Sequence, residues 1–180
     1  MRIVLGMILF FYLLFSSDIK TMSLIDLYKN HYYSYICNKR WFYINKFINK
    51  REDLLSLVAY SCLKKGNLVP ALDIAKVLKN TKEGRKNATY IATLFLMKKL
   101  IIQVISDNLD ISPIKLPIIK DYTLGKVYRL LQTNKYQQVD NKKLILKHND
   151  FLYEVLLTER GDLLIKTFKN NNLIKKELIW

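Results

Sequence analysis

Between residues 23 and 105 apolar positions recur at the three- and four-residue spacing of amphipathic helices, and turn signals break them at regular intervals. A stretch rich in breakers follows, Asp107 to Asp121, containing Ser112-Pro113 and Leu116-Pro117. Proline forces the residue before it into extended geometry, so no helix is expected to cross this stretch. Helical spacing returns from Tyr122 to Thr133. After Asn134 the pattern becomes short runs of Ile, Leu and aromatics: Lys143 to Lys147, Phe151 to Thr158, Asp162 to Lys169 and Leu173 to Trp180. His148-Asn149-Asp150, Glu159-Arg160-Gly161-Asp162 and Asn170-Asn171-Asn172 separate them, as in hairpin-linked strands.

The fold class this predicts is α+β, with antiparallel helical hairpins over 23–134 and an antiparallel meander of three or four strands over 135–180. So small a sheet needs a lid on its apolar face, and the helices are the available cover. Phe151, Tyr153, Val155 and Leu157 are expected to face the helices, and Trp180 to anchor in the core.

The helical rhythm has an internal unit. Leu55 to Leu78 resembles one tetratricopeptide repeat, two antiparallel helices joined by a tight turn. Ala59 and Ala71 stand at the small positions of the two helices and Gly66-Asn67 at the turn, while Cys62 replaces the usual large aromatic. A shift of about 34 residues, the period of this repeat, sets Leu63 to Gly66 against Met97 to Leu100, so the third unit is degenerate. Upstream, Leu27 to Tyr33 has the form of the same turn, between a helix carrying Leu24 and Leu27 and one carrying Ile36, Cys37 and Arg40. An unrelated bundle of amphipathic hairpins fits the same pattern.

The first 22 residues read differently. Arg2 precedes the run Ile3 to Phe15, and the polar Ser16-Ser17-Asp18 follows, the order of a secretory leader. Thirteen residues are short for a bilayer, which needs about 20. A cleaved signal is the expectation, with an uncleaved inner-membrane anchor or a buried helix as alternatives. Removing Arg2, Lys20 and Asp18 with the leader takes 30 basic and 15 acidic residues to 28 and 14, a net +14. Such an excess attracts polyanions. The lysines are spread along the chain rather than clustered, in pairs such as Lys64-Lys65, Lys98-Lys99, Lys142-Lys143 and Lys175-Lys176, and Lys, Asn, Ile, Tyr and Phe share adenine- and thymine-rich codons, so genome composition supplies most of the excess and a dedicated polyanion-binding face is the lesser expectation.

Two cysteines, Cys37 and Cys62, make an even count, which in an exported domain favours a disulfide. In the repeat register they lie on neighbouring helices; the alternative is a pair of buried thiols. His31 and His148 are the histidines and show no zinc spacing, so neither metal nor cofactor is expected. Gly-x-Ser-x-Gly, His-Glu-x-x-His and phosphate-loop motifs are absent, and Glu154 and Glu159 beside a turn read as solvated. The sequon Asn87-Ala88-Thr89 falls inside a predicted helix, which argues against glycosylation. The candidate partner-binding residues are Tyr28, Tyr32 and Tyr35 at the first turn, followed by Arg40 and Trp41, because aromatics and Arg dominate interface energetics.

The order of leader, Tyr28-Lys29-Asn30 turn near Cys37, the block ending at Leu63, the block from Asn87 to Leu100 and a strand-rich end closing on Ile179-Trp180 resembles short periplasmic proteins of flagellated bacteria. Some of these are suspected accessory parts of the flagellar motor. The resemblance implies a place and a style of action: a periplasmic, non-enzymatic scaffold that binds an envelope protein partner. A basic module for peptidoglycan, anionic lipid or another anionic surface is the alternative, and nucleic acid is disfavoured.

Overall fold

A computed structural model describes residues 19–133 and 136–180. The predicted leader run, Ile3 to Phe15, lies outside the described residues. Seven helices precede a five-stranded sheet among the described residues: α1 Leu24–Lys29, α2 Tyr33–Asn38, α3 Arg40–Phe47, α4 Glu52–Lys64, α5 Leu68–Ala75, α6 Lys82–Asp107 and α7 Thr123–Gln132. The strands are β1 Tyr136–Asp140, β2 Lys143–His148, β3 Phe151–Leu157, β4 Leu163–Lys169 and β5 Asn172–Ile179. They pair antiparallel in sequence order, so the fold is α+β with a C-terminal meander. The pattern of three or four strands misses β1, whose polar Gln137, Gln138 and Asp140 carry a weak signal at a short edge.

Local chemistry explains the helix ends. The Ser23 hydroxyl accepts from Asp26 N at 3.1 Å to start α1, and Thr81 Oγ1 accepts from Gly84 N at 2.9 Å to start α6. Asn108, in the left-handed region at φ 54°, ends α6 just before the proline-bearing loop. The positions that the repeat shift sets against the α4–α5 turn, Met97 to Leu100, are helical here, inside 26 residues of continuous α6. Those residues are long and apolar enough to cross a bilayer, yet half of the apolar window is buried inside the protein, where α6 packs on α4, α5 and α7.

One apolar cluster runs through helices and sheet. It takes Leu55, Val58 and Cys62 from α4, Leu94 and Ile101 from α6, and Leu144, Val155 and Ile165 from the sheet. Ala59 and Ala71 are fully buried, as small residues must be where helices come close. On β3 the predicted inward set holds: Tyr153 and Val155 are buried and Phe151 and Leu157 partly so. The opposite face carries Glu154, which pairs with Lys143 at 3.3 Å and Lys166 at 3.5 Å.

Trp180 departs from expectation. Its side chain is exposed, and the anchor is its backbone N–H, which donates to Gly66 O at 2.9 Å. Gly66, at φ +74°, sits so close to β5 that a Cβ would lie 2.0 Å from Leu178 O. The α4–α5 turn is thereby docked on the last strand.

Cys37 and Cys62 are joined in a disulfide that ties α2 to α4 across a Cα–Cα distance of 4.9 Å. Both residues are buried. A bond of this kind persists in oxidising compartments, which points to export.

Candidate functional site

The N-terminal residues singled out from sequence divide into two groups. Tyr28 and Tyr35 are partly buried against the core, with the Tyr28 ring edge-on to Tyr33 at 5.3 Å. Truncating Tyr35 therefore removes core packing, contrary to a purely surface role. Arg40 starts α3 and its Nε donates to Asp73 of α5 at 3.2 Å, while its guanidinium lies 5.2 Å from the Trp41 ring. Tyr32, Trp41 and the adjacent Phe42 are exposed. His31 faces the Tyr33 hydroxyl at 2.7 Å. Asn87 of the sequon is engaged between helices, donating to Ser56 Oγ at 3.0 Å and accepting from Tyr60 at 3.2 Å.

Two polar sites invisible in the sequence pattern hold the fold. Glu52, the first residue of α4, is buried, and its carboxylate accepts from Lys79 N, Asn80 N, Thr81 N and Thr81 Oγ1 at 2.6 to 2.8 Å. Burial raises its pKa, but the hydrogen bonds from Asn80, Thr81 and Lys79 outweigh that and hold it down to about 2. Gly84 makes room, since a Cβ there would stand 2.2 Å from Glu52 Oε2. Lys98 of α6 is buried and donates to Asp162 in the β3–β4 turn at 3.2 Å. Burial lowers the Lys98 pKa while the Asp162 carboxylate opposes the shift.

A concavity lies between α7 and the helix-facing side of the sheet, a cleft of about 610 Å³. Helical periodicity splits α7 in two. Leu124, Val127, Tyr128 and Leu131 are buried on one side, while Lys126 and Leu130 line the cleft on the other, joined by Thr123 at the start of the helix and Thr133 just past its end. The Tyr128 hydroxyl donates to Ile114 O at 3.0 Å, and the hydroxyl of the partly buried Tyr122 to Leu63 O at 2.9 Å. Gly125 lets the proline loop lie against α7, for a Cβ there would meet Ile119 O at 2.4 Å.

The sheet contributes a cross-strand row. Tyr153 of β3 pairs with Thr167 of β4, which pairs with Lys175 of β5. All three line the cleft. Burial raises the Tyr153 pKa, keeping its phenol neutral. Lys175 Nζ reaches across to Thr123 Oγ1 at 3.2 Å and pairs with Glu177 at 2.9 Å. Phe151, two residues along β3 from Tyr153, also lines the cleft, with Lys169 Nζ 5.7 Å from its ring centre.

The electrostatics of this wall are one-sided. The charged side chains that line it are Lys120, Lys126, Arg129 and Lys175, and no Asp or Glu does so among the described residues. Lys120, Lys126 and Arg129 make no ion pair among the described residues. The wall can hold an anion by charge and by hydroxyl donors. Of Lys120, Lys126, Arg129 and Lys175, the sequence pattern marked Lys175 alone, and only as one of a scattered pair; the signal that finds the group is the i, i+3 spacing of Lys126 and Arg129, read together with a sheet that folds over them.

Set against families of known proteins, curated proteins and solved structures, the chain has no match.

Proposed function

We propose that this chain is a non-catalytic periplasmic subunit that holds an anionic ligand in the cleft between α7 and the sheet. The observation that carries the reading is the set of three cations, Lys120, Lys126 and Arg129, that line the cleft without an ion pair among the described residues. Charges lining a concave, low-dielectric surface reinforce one another and concentrate counter-charge there. The +14 of the chain after its leader makes the field attractive at long range, while the cleft gives it a place. Export is supported by the disulfide and by the leader pattern of residues 1–22.

The test is titration of the purified mature chain with a soluble polysulfonated fluorophore at rising salt, beside the double variant Lys126→Gln/Arg129→Gln. Binding should weaken steeply with ionic strength, and the double variant should bind roughly tenfold less tightly, about the worth of two partly screened contacts. No binding, or equal binding by the variant, would overturn the reading. Cytoplasmic retention of a reporter fused after Met22 would overturn the periplasmic part.

A second reading is favoured by a different surface. Trp41 and Phe42, 54% and 57% exposed, stand side by side on α3 with the Arg40 guanidinium over the Trp41 ring. Exposed Trp and Arg are the residues that anchor protein interfaces. This face suits a scaffold that engages an envelope protein, an accessory of a machine such as the flagellar motor. Loss of partner co-purification from the native envelope on Trp41→Ala/Phe42→Ala, with unfolding unchanged, supports it; unchanged recovery refutes it.

A further inference from the structure

Resting on the anion-binding reading of the cleft, we infer that its ligand is an amphiphile, a single anionic head carried on a hydrocarbon chain. The cationic rim explains the head but not the rest of the wall. Leu130, Phe151, Tyr153 and Ile174 form an apolar surface beside the cations. A small hydrated anion would leave that surface against water, and a long polar strand would lie across the rim without filling the cleft. At about 610 Å³ the space has the size of a small-molecule site.

Two features of the sheet point the same way. The first is Thr167, which is 6% exposed and lines the cleft, and whose Oγ1 is buried without a hydrogen-bond partner. Buried hydroxyls are ordinarily satisfied, and an oxygen of an anionic head placed over the Tyr153–Thr167–Lys175 row would satisfy this one. The second is a bulge in β5. Thr167 pairs with Lys175 and Phe168 with Leu173, which leaves Ile174 unpaired. Regular strand alternation sends consecutive side chains to opposite faces. The bulge instead delivers Ile174 and Lys175 to the same cleft, an apolar group and a cation side by side. That pairing matches a ligand whose charge and chain are covalently adjacent.

The experiment titrates the mature chain by calorimetry with dodecyl phosphate below its micelle concentration, inorganic phosphate, and dodecyl maltoside as a neutral-headed chain. Dodecyl phosphate should bind at least roughly tenfold more tightly than either other probe. Thr167→Val, which keeps shape and strand propensity, and Ile174→Asn should each weaken dodecyl phosphate binding severalfold without lowering thermal stability. Lys126→Gln/Arg129→Gln should weaken both phosphates. Equal affinity for inorganic and dodecyl phosphate, with both lost in the Lys126/Arg129 variant, would overturn the amphiphile while leaving the anion reading intact. Absence of binding by every probe would overturn both. Sedimentation with phosphatidylglycerol vesicles separates the remaining source: capture on vesicles that ignores Thr167→Val and Ile174→Asn, with no dodecyl phosphate binding, would make the face a membrane contact and refute a ligand held in the cleft.

Discussion

Replacing Glu52 by Gln should destabilise the chain by about 3 kcal/mol at pH 7, and the loss should shrink as the pH falls. The carboxylate uses both oxygens. Oε1 accepts from Lys79 N and Asn80 N, and Oε2 from Thr81 N and Thr81 Oγ1. A glutamine keeps one acceptor and turns an NH2 toward one of these donor pairs, so about two charge-assisted bonds are lost, each worth about 1.5–3 kcal/mol. The negative charge at the start of α6 goes too, worth about 0.3–1 kcal/mol. The pKa depression gives a second figure: a fall from 4.5 to about 2 corresponds to about 3.4 kcal/mol at neutral pH. The folded pKa lies below the unfolded one, so this stability is complete above pH 4.5 and is lost as pH falls toward 2. By linkage about 2 kcal/mol of it is gone at pH 3. Urea unfolding of both proteins at pH 7 and pH 3 measures the difference, and the comparison cancels the other carboxylates. A gap below about 1 kcal/mol at pH 7, or one that does not narrow at pH 3, would refute the assignment. Gly84→Ala, whose methyl would press on Oε2 at 2.2 Å, should reproduce much of the loss with the carboxylate still present.

Three further outcomes follow from the geometry. Opening the Cys37–Cys62 bond, which closes 25 residues of chain, should cost about 3.5 kcal/mol in the chain-entropy account, and thiol labelling of unfolded, unreduced protein should modify neither cysteine. Gly66→Ala should destabilise the fold by more than about 1 kcal/mol, because the residue is left-handed and its new methyl would strike Leu178 O; an unchanged melting curve would mean the α4–α5 turn is not docked on β5. Lys98→Met should cost about 2 kcal/mol, less than the ~3–5 of a fully buried pair since Asp162 keeps some solvent. A double-mutant cycle with Asp162→Asn should show coupling above about 0.5 kcal/mol.

Period and punctuation along the chain determined the kinds of element and most of their positions. Helical spacing with Gly66-Asn67 at its break yielded α4 and α5, the prolines at 113 and 117 marked where α6 could not continue, and alternation in Phe151 to Leu157 told which face of β3 turns inward. These signals are local, set by backbone sterics and by which side chains avoid water. The cysteine pair was readable for a related reason: an even count on two helices expected to be neighbours favoured a bond over two buried thiols. What local pattern could not decide is where polar groups separated by many residues meet. Glu52 and Thr81, Lys98 and Asp162, and Lys126 and Lys175 are distant in sequence, and each looks like an ordinary solvated charge until the helices pack and the sheet folds over α7. The bulge that turns Ile174 and Lys175 to one side depends on pairing with β4, so the hydrophobic pattern of β5 does not contain it. The core is written in periodicity because water acts on every residue in the same way, whereas the cleft exists because tertiary packing brings unlike segments together at one surface.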